Sequence, residues 1–210
     1  MQPLFAAWEG IASRIGAARR ILLLADYDGT LSPIAERPEL ARLPEATRRL
    51  LQGLALRPRY IVGIISGRAL EDLKERVGLG DLIYAGNHGL EMRGPGFDFV
   101  HPGAVELRPT LKDLHRRLVE SLGVIEGVIV EDKGLTLSVH YRLVAEGRVA
   151  EVEELFKRAV APLCSSGKAR VTVGKKVFEV RPAVEWDKGE AVGLLLGRYG
   201  GPSEGTLPIY

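Results

Sequence analysis

The stretch Ile21-Leu-Leu-Leu-Ala-Asp-Tyr-Asp-Gly-Thr30 decides how the chain reads. Its unbroken apolar run is the pattern of a strand buried on both faces, as in a parallel sheet. The run is far too short to span a bilayer. At its end stand two carboxylates, Asp26 and Asp28, followed by Gly29, which permits a sharp turn. Strand ends of open parallel sheets are where ligands bind. Two carboxylates two residues apart at such a crest suit a hard cation and supply a nucleophile plus a general acid/base. The plain alternative is an Asp-rich turn that only closes the strand. A calcium loop does not fit, because Thr30 and Leu31 occupy places where that loop needs other residues.

Working outward, Leu4, Phe5, Trp8, Ile11, Ala12 and Ile15 recur at helical spacing and predict an amphipathic helix. Downstream, residues 46–56 predict a helix and Tyr60-Ile-Val-Gly-Ile-Ile65 a second buried strand. A helix opening at Ser66 and running to about residue 77 follows, then a strand at Leu82-Ile-Tyr-Ala85. This alternation predicts an α/β fold: a doubly wound, Rossmann-like parallel sheet with helices on both faces. From about residue 104 the grammar changes. A helix over 111–122, strands at 127–130 and 135–141, a charged helix over 149–163 and a hairpin of 169–173 with 177–180 predict an inserted α+β domain. Its expected span is residues 104–176, with residues 1–103 and 177–210 forming the core domain. A helix from Lys188 to about residue 199 and a strand beginning at Leu207 return to the core pattern.

The 210 residues are 46% hydrophobic and 27% charged with a formal net charge of +2. That excludes a disordered tail, a collagen-like fibre and a small disulfide-stapled module. Near-neutrality argues against nucleic acid or a membrane surface as partner. The single cysteine, Cys164, forms no internal disulfide and fits a reducing cytosol, and no secretory segment opens the chain. A soluble cytoplasmic protein is expected. No zinc-ligand spacing and no P-loop occurs.

Three further places carry chemistry. Ser66-Gly67-Arg68 ends the second strand, where a hydroxyl and free helix N–H groups make an anion cradle; an ordinary N-cap is the alternative. Lys188-Gly189 puts a cation at a helix start, against the macrodipole, which favours a local anion as its partner. Gly86-Asn87-His88-Gly89 follows the third strand, and His88 there either meets a ligand or satisfies a loop carbonyl. In a doubly wound sheet these ends converge on one edge. A phosphoryl group needs what they offer: a nucleophile, a metal and donors for its oxygens.

These residues resemble the motifs of haloacid-dehalogenase-like phosphatases and, more narrowly, of trehalose-6-phosphate phosphatases. Asp26-Tyr-Asp-Gly-Thr-Leu31 looks like the first motif, Ile65-Ser-Gly-Arg68 the second and Lys188-Gly-Glu-Ala191 the third. Gly86-Asn-His-Gly-Leu-Glu91, Glu131-Asp-Lys-Gly-Leu-Thr-Leu-Ser-Val-His-Tyr-Arg142 and Val177-Phe-Glu-Val-Arg-Pro182 also match. The resemblance implies a Mg²⁺-dependent phosphatase that converts trehalose 6-phosphate to trehalose and phosphate. Asp26 is then the nucleophile that becomes an aspartyl phosphate, and Asp28 the general acid/base. Ser66 and Lys188 hold phosphoryl oxygens, and Asp26 with the Asp28 carbonyl binds Mg²⁺. The inserted domain is a cap. Glu131, Lys133 and Glu179 match positions that meet glucose hydroxyls, with Arg68, Asn87, His88 and Arg142 as further substrate-binding residues. A trehalose-phosphate synthase is an expected associate. Alternatives are another sugar phosphate, such as sucrose phosphate or mannosyl-phosphoglycerate, and a catalytically silent binding module. The fourth motif of the family, an acidic cluster after the fourth core strand, would lie beyond Tyr210. The chain is therefore expected to be a C-terminally truncated piece, with weak Mg²⁺ binding and little turnover of its own.

Overall fold

A computed structural model describes residues 4–35 and 37–210. In chain order the elements are α1 (Trp8–Ala17), β1 (Arg20–Asp26), α2 (Glu45–Ala55), β2 (Tyr60–Ile65), α3 (Leu70–Val77), β3 (Ile83–Gly86), β4 (Glu91–Gly94) and β5 (Phe97–Val100). They continue with α4 (Pro102–Leu122), β6 (Ile129–Asp132), β7 (Leu137–His140), α5 (Val149–Ser165), β8 (Ala169–Gly174), β9 (Val177–Pro182), α6 (Lys188–Tyr199) and β10 (Thr206–Ile209). The chain divides into two compact units, Met1–Asp98 with Trp186–Tyr210, and Phe99–Glu185.

In the first unit the sheet order is β10-β1-β2-β3-β4-β5, with β10, β1, β2 and β3 mutually parallel and β4 antiparallel to β3. Ile21, Leu22 and Leu24 of β1 are buried, as a strand with parallel neighbours on both sides requires. β1 has its sequence successor β2 on one side and the late strand β10 on the other, so the strand order reverses at β1. That is the topological switch point, and the crevice at its carboxyl end is where such sheets bind ligands. Asp26 closes the strand opposite Ile65, so Ser66 begins the neighbouring strand's exit loop. One face of the sheet packs Val62, Ile64 and Tyr84 against Leu51 of α2 and Leu70, Leu73 and Val77 of α3. α1 forms as its spacing predicts, but none of its residues is buried.

The second unit is a four-stranded antiparallel sheet, β6-β7-β9-β8, whose apolar face packs on α4 and α5. Strand period sorts its residues. Leu137, Val139, Phe178 and Val180 enter the core with Leu111, Leu114, Leu118 and Phe156. Glu131, Ser138, Glu179 and Thr172 are consecutive register partners across the sheet and form one polar row on the other face.

Three features differ from the sequence expectation. The expected boundary after residue 176 falls inside the β8–β9 hairpin: β9 lies between β7 and β8, so residues 177–185 belong to the second unit rather than to the core. α4 begins at Pro102 rather than near residue 111; Pro109 interrupts the helical reading, yet it is exposed, and Ala104, Leu107 and Leu111 keep the buried stripe continuous across it. The strands β4 and β5 are additional, joined by a tight turn at Gly96, whose φ is +73°.

Phe156 stacks on Phe178 with centroids 4.5 Å apart, and Phe178 on Tyr141 at 4.6 Å. Phe156→Ala should therefore destabilise the second unit by about 3–5 kcal/mol. Denaturant unfolding followed by circular dichroism checks this, and a loss below about 1 kcal/mol would contradict the packing described.

Candidate active site

Asp26 stands at the crest of β1 with its carboxylate about one-third exposed. Lys188, the first residue of α6, donates from Nζ to Asp26 Oδ2 at 2.6 Å. The N–H groups of Gly189 and Glu190 are taken by the Asp187 carboxylate at 2.6 and 3.1 Å. The ammonium at the positive end of this helix is thus offset by two carboxylates, and the local anion expected for Lys188 is Asp26.

Asp28 lies in a turn built by Gly29, whose φ is +82°, with Gly29 N–H donating to Ser32 O and Ser32 N–H to Tyr27 O. Arg68 grips the Asp28 carboxylate as a fork. Nε donates to Oδ1 and Oδ2 at 3.2 and 2.9 Å, and Nη2 to Oδ1 at 2.7 Å. Ser66 Oγ donates to Asp28 Oδ2 at 3.4 Å. The Arg68 Nη1 donates to Asp72 Oδ2 at 3.0 Å, and Arg76 Nε donates to both Asp72 oxygens at 2.9 Å. Arg76 in turn donates to the carbonyls of Glu39 and Ala41. Burial by itself would raise the Asp72 carboxyl; the hydrogen bonds from Arg76 and Arg68 outweigh it and hold the group below the ordinary carboxylate range. Burial likewise works against the Arg68 charge, and the bonds to Asp28 and Asp72 more than restore it.

Ser66 is buried, with its N–H bonded to Ala85 O. The helix expected to open at Ser66 begins at Leu70. The Leu70 N–H is met at 3.0 Å by Glu91 Oε1, which also accepts from Asn87 Nδ2 at 2.7 Å. The serine hydroxyl therefore belongs to the exit loop of β2 rather than to a helix N-terminus; it accepts from Arg68 N–H at 3.2 Å. This loop is stitched to the turn after β3 by Asn87 N–H to Arg68 O and His88 N–H to Ser66 O. Asn87 and His88 both adopt left-handed backbone, with φ of 48° and 60°. Strain of that kind persists only where the surroundings over-determine it. Here they do: a Cβ on Gly67 would stand 2.7 Å from the His88 ring, and one on Gly89 2.4 Å from Cβ of Ala191 in α6. The turn is wedged between the Ser66 loop and the helix that carries Lys188.

Within the second unit, Lys133 Nζ pairs with Glu179 Oε1 at 3.2 Å, both side chains largely buried. His140 Nε2 meets Glu131 Oε2 at 2.8 Å. Arg142 lies past the end of β7, its guanidinium reaching Lys175 O. The structure thus unites Asp26, Asp28, Ser66, Arg68 and Lys188 at one strand crest of the first unit, with Asn87 and His88 on the adjoining turn. Glu131 and Glu179 share one sheet face of the second unit with Lys133 bonded to it, while Arg142 stands apart from that row. Asp72, Arg76 and Asp187 carry no role in the sequence reading, and Glu91 enters it only as the last residue of the Gly86–Glu91 match. Arg68, Asp72 and Arg76 do stand at successive i, i+4 spacing, and Asp187 precedes Glu190 as in a helix start, so both signals were present.

Among the described residues no group of three or more His, Cys, Asp or Glu side chains could hold a metal ion. The crest does offer two oxygens that accept no hydrogen bond among the described residues, Asp26 Oδ1 and the Asp28 carbonyl. That pair fits Mg²⁺, which keeps several waters and takes one or two carboxylates from a protein.

A family model described as trehalose-phosphatase matches residues 24–210. The chain belongs to the trehalose-phosphatase family. It is similar to a protein of Oryza sativa subsp. japonica named probable trehalose-phosphate phosphatase 4, with 36% identity over 208 residues, covering 97% of this chain and 55% of that protein. It spans about half the length of the curated relatives it matches. Among solved structures it is similar to the C-terminal domain of C. albicans trehalose-6-phosphate phosphatase, with a TM-score of 0.76 and 25% identity over 95% of this chain and 72% of that one. A haloacid dehalogenase-like hydrolase from Bacteroides thetaiotaomicron shares the fold, with a TM-score of 0.57 and 16% identity over 91% of this chain and 81% of that one. The fold of this family member is haloacid-dehalogenase-like. No described helix is long and apolar enough to cross a membrane.

The lowered Asp72 carboxyl makes a prediction about stability. Because its folded value lies below the unfolded one of about 3.9, its stabilisation is complete above that value and lost as pH falls through the folded value. Asp72→Asn should cost on the order of 1–2 kcal/mol at pH 7, less than a fully buried pair because the carboxyl is one-third exposed. It should also flatten the decline of stability below about pH 4. Urea titrations at pH 7 and pH 3 measure both; an equal deficit at the two pH values would contradict the pairing.

Proposed function

We propose that this trehalose-phosphatase family member hydrolyses trehalose 6-phosphate to trehalose and phosphate through an aspartyl phosphate on Asp26. The observation that carries the reading is the meeting of Asp26 and Lys188 at the switch point, next to Asp28 and Ser66. The names of the relatives point to the same substrate. A carboxylate oxygen of Asp26 attacks phosphorus while the bond to the sugar oxygen breaks. Asp28 gives that oxygen its proton. Water then attacks phosphorus, passing its proton to Asp28, and the bond to Asp26 breaks as phosphate leaves. Lys188 and the Ser66 hydroxyl hold phosphoryl oxygens, their donors suiting the charge spread over them. Mg²⁺, held by Asp26 Oδ1 and the Asp28 carbonyl, would supply further positive charge to the same oxygens.

Recognition of the sugar falls, in this reading, to the second unit, which serves as the cap. Glu131, Glu179 and Lys133 offer acceptors and a donor, the pairing that a hydroxyl-rich glucose ring requires. Asn87, His88 and Arg142 are the further candidates for substrate contact.

The test is phosphate release by the full-length protein with Mg²⁺ over a panel of sugar phosphates. Trehalose 6-phosphate should be the preferred substrate; preference for sucrose phosphate or mannosyl-phosphoglycerate would contradict that assignment. Asp26→Asn should lower turnover by several orders of magnitude and leave substrate binding measurable; residual activity above about 1% would remove Asp26 as nucleophile. Glu131→Ala should chiefly raise KM, and unchanged kinetics on the sugar substrate would take it out of the site.

A further inference from the structure

Arg68 stands among the residues expected to bind substrate, but its guanidinium is already committed. Of the five N–H donors on that group, four point at protein acceptors: the fork on Asp28, Asp72 Oδ2 and Pro38 O. The side chain is 9% exposed, and its guanidinium carbon lies 5.3 Å from the centre of the Tyr27 ring. We propose that Arg68 is a positioning residue that fixes the Asp28 carboxylate, and that Asp72 and Arg76 fix Arg68 in turn. The proposal rests on the phosphatase reading, in which Asp28 gives the departing sugar oxygen its proton.

The physical reason is torsional. An aspartate carboxylate has two free side-chain rotations, and a planar two-donor fork sets both where a single donor sets neither. The fork is itself held on three sides. Asp72 takes Nη1, Pro38 O takes Nη2 and the Tyr27 ring lies against the group. Asp72 is gripped through both oxygens by Arg76, which binds the carbonyls of Glu39 and Ala41. Two arginines therefore clip the segment that returns from the Asp28 turn and hold the carboxylate at its head. Misplacement of a reacting group by about 1 Å costs about 100-fold in rate.

A group that acts only through Asp28 matters where its proton matters. A sugar alkoxide needs protonation as it leaves, whereas p-nitrophenolate does not. In the full-length protein, Arg68→Gln should lower kcat/KM for trehalose 6-phosphate by about 100-fold or more and for p-nitrophenyl phosphate by less than about fivefold. Arg68→Lys, which keeps the charge and loses the fork, should behave likewise. Calorimetry in an Asp26→Asn background should find trehalose 6-phosphate affinity within about threefold with or without Arg68→Gln. Affinity reduced by about tenfold or more would make Arg68 a substrate ligand and overturn the proposal. Equal losses on both substrates, or full activity in Arg68→Lys, would overturn it too. A crystal structure of the Arg68→Gln protein should show Asp28 displaced; an unmoved carboxylate would overturn the proposal whatever the activity. Failure of the unsubstituted protein to release phosphate from either substrate would instead sink the phosphatase reading, and the crystallographic result would still decide the role of Arg68.

Discussion

Everything at the candidate site depends on β1 being paired on both sides by parallel strands that lie far apart in the chain. Because β2 and β10 flank it, the strand order turns around at β1, and the carboxyl end of the strand where that happens is where such sheets bind ligands. Asp26 is the residue at that end. The helix leading back towards β10 begins with Lys188, so the same crossover that completes the sheet delivers an ammonium to the carboxylate. Topology, rather than any local motif, brings together two residues 162 positions apart.

The surroundings of Asp28 are organised by a different force. Asp28, Arg68, Asp72 and Arg76 alternate in sign, each bonded to the next, and only partly shielded from water. Such a chain avoids leaving a lone charge in a half-buried place, which is where the large penalties arise. It also carries little adjustable freedom, since both arginines end on backbone carbonyls. The strained Asn87–His88 turn adds a second brace from the other side, bonded to the backbone of Ser66 and Arg68. Both constraints act on the segment between β2 and α3, which is short and carries the hydroxyl assigned to the phosphoryl oxygens.

The parallel strands were legible because burial on both faces forces continuous apolar runs, as in Ile21-Leu-Leu-Leu-Ala25 and Tyr60-Ile-Val-Gly-Ile-Ile65. Asp26 and Asp28 were legible because they interrupt such a run at its end. What sequence did not carry was side-chain destination. Ser66-Gly67-Arg68 reads as a helix start, yet the first helical N–H is met by Glu91 at the start of β4. Arg68 matches a substrate-contact position, yet its fork is closed on Asp28. The edge of the second unit was misplaced at residue 176 because periodicity says that Val177–Pro182 is a strand, not which sheet it joins. Pro109 hid the first half of α4, since an exposed proline is tolerated only when the buried stripe beneath it holds the helix.

The central claim is that the β1 crest holds a carboxylate that bonds transiently to phosphorus. Beryllofluoride mimics a phosphoryl group and binds the oxygen that would carry it. A crystal structure of the full-length protein soaked with beryllofluoride and Mg²⁺ should show the beryllium joined to a carboxylate oxygen of Asp26, with Lys188 and Ser66 against the fluorines. Beryllium joined to any other side chain, or absent from the crest under conditions where phosphate release is active, would contradict the account.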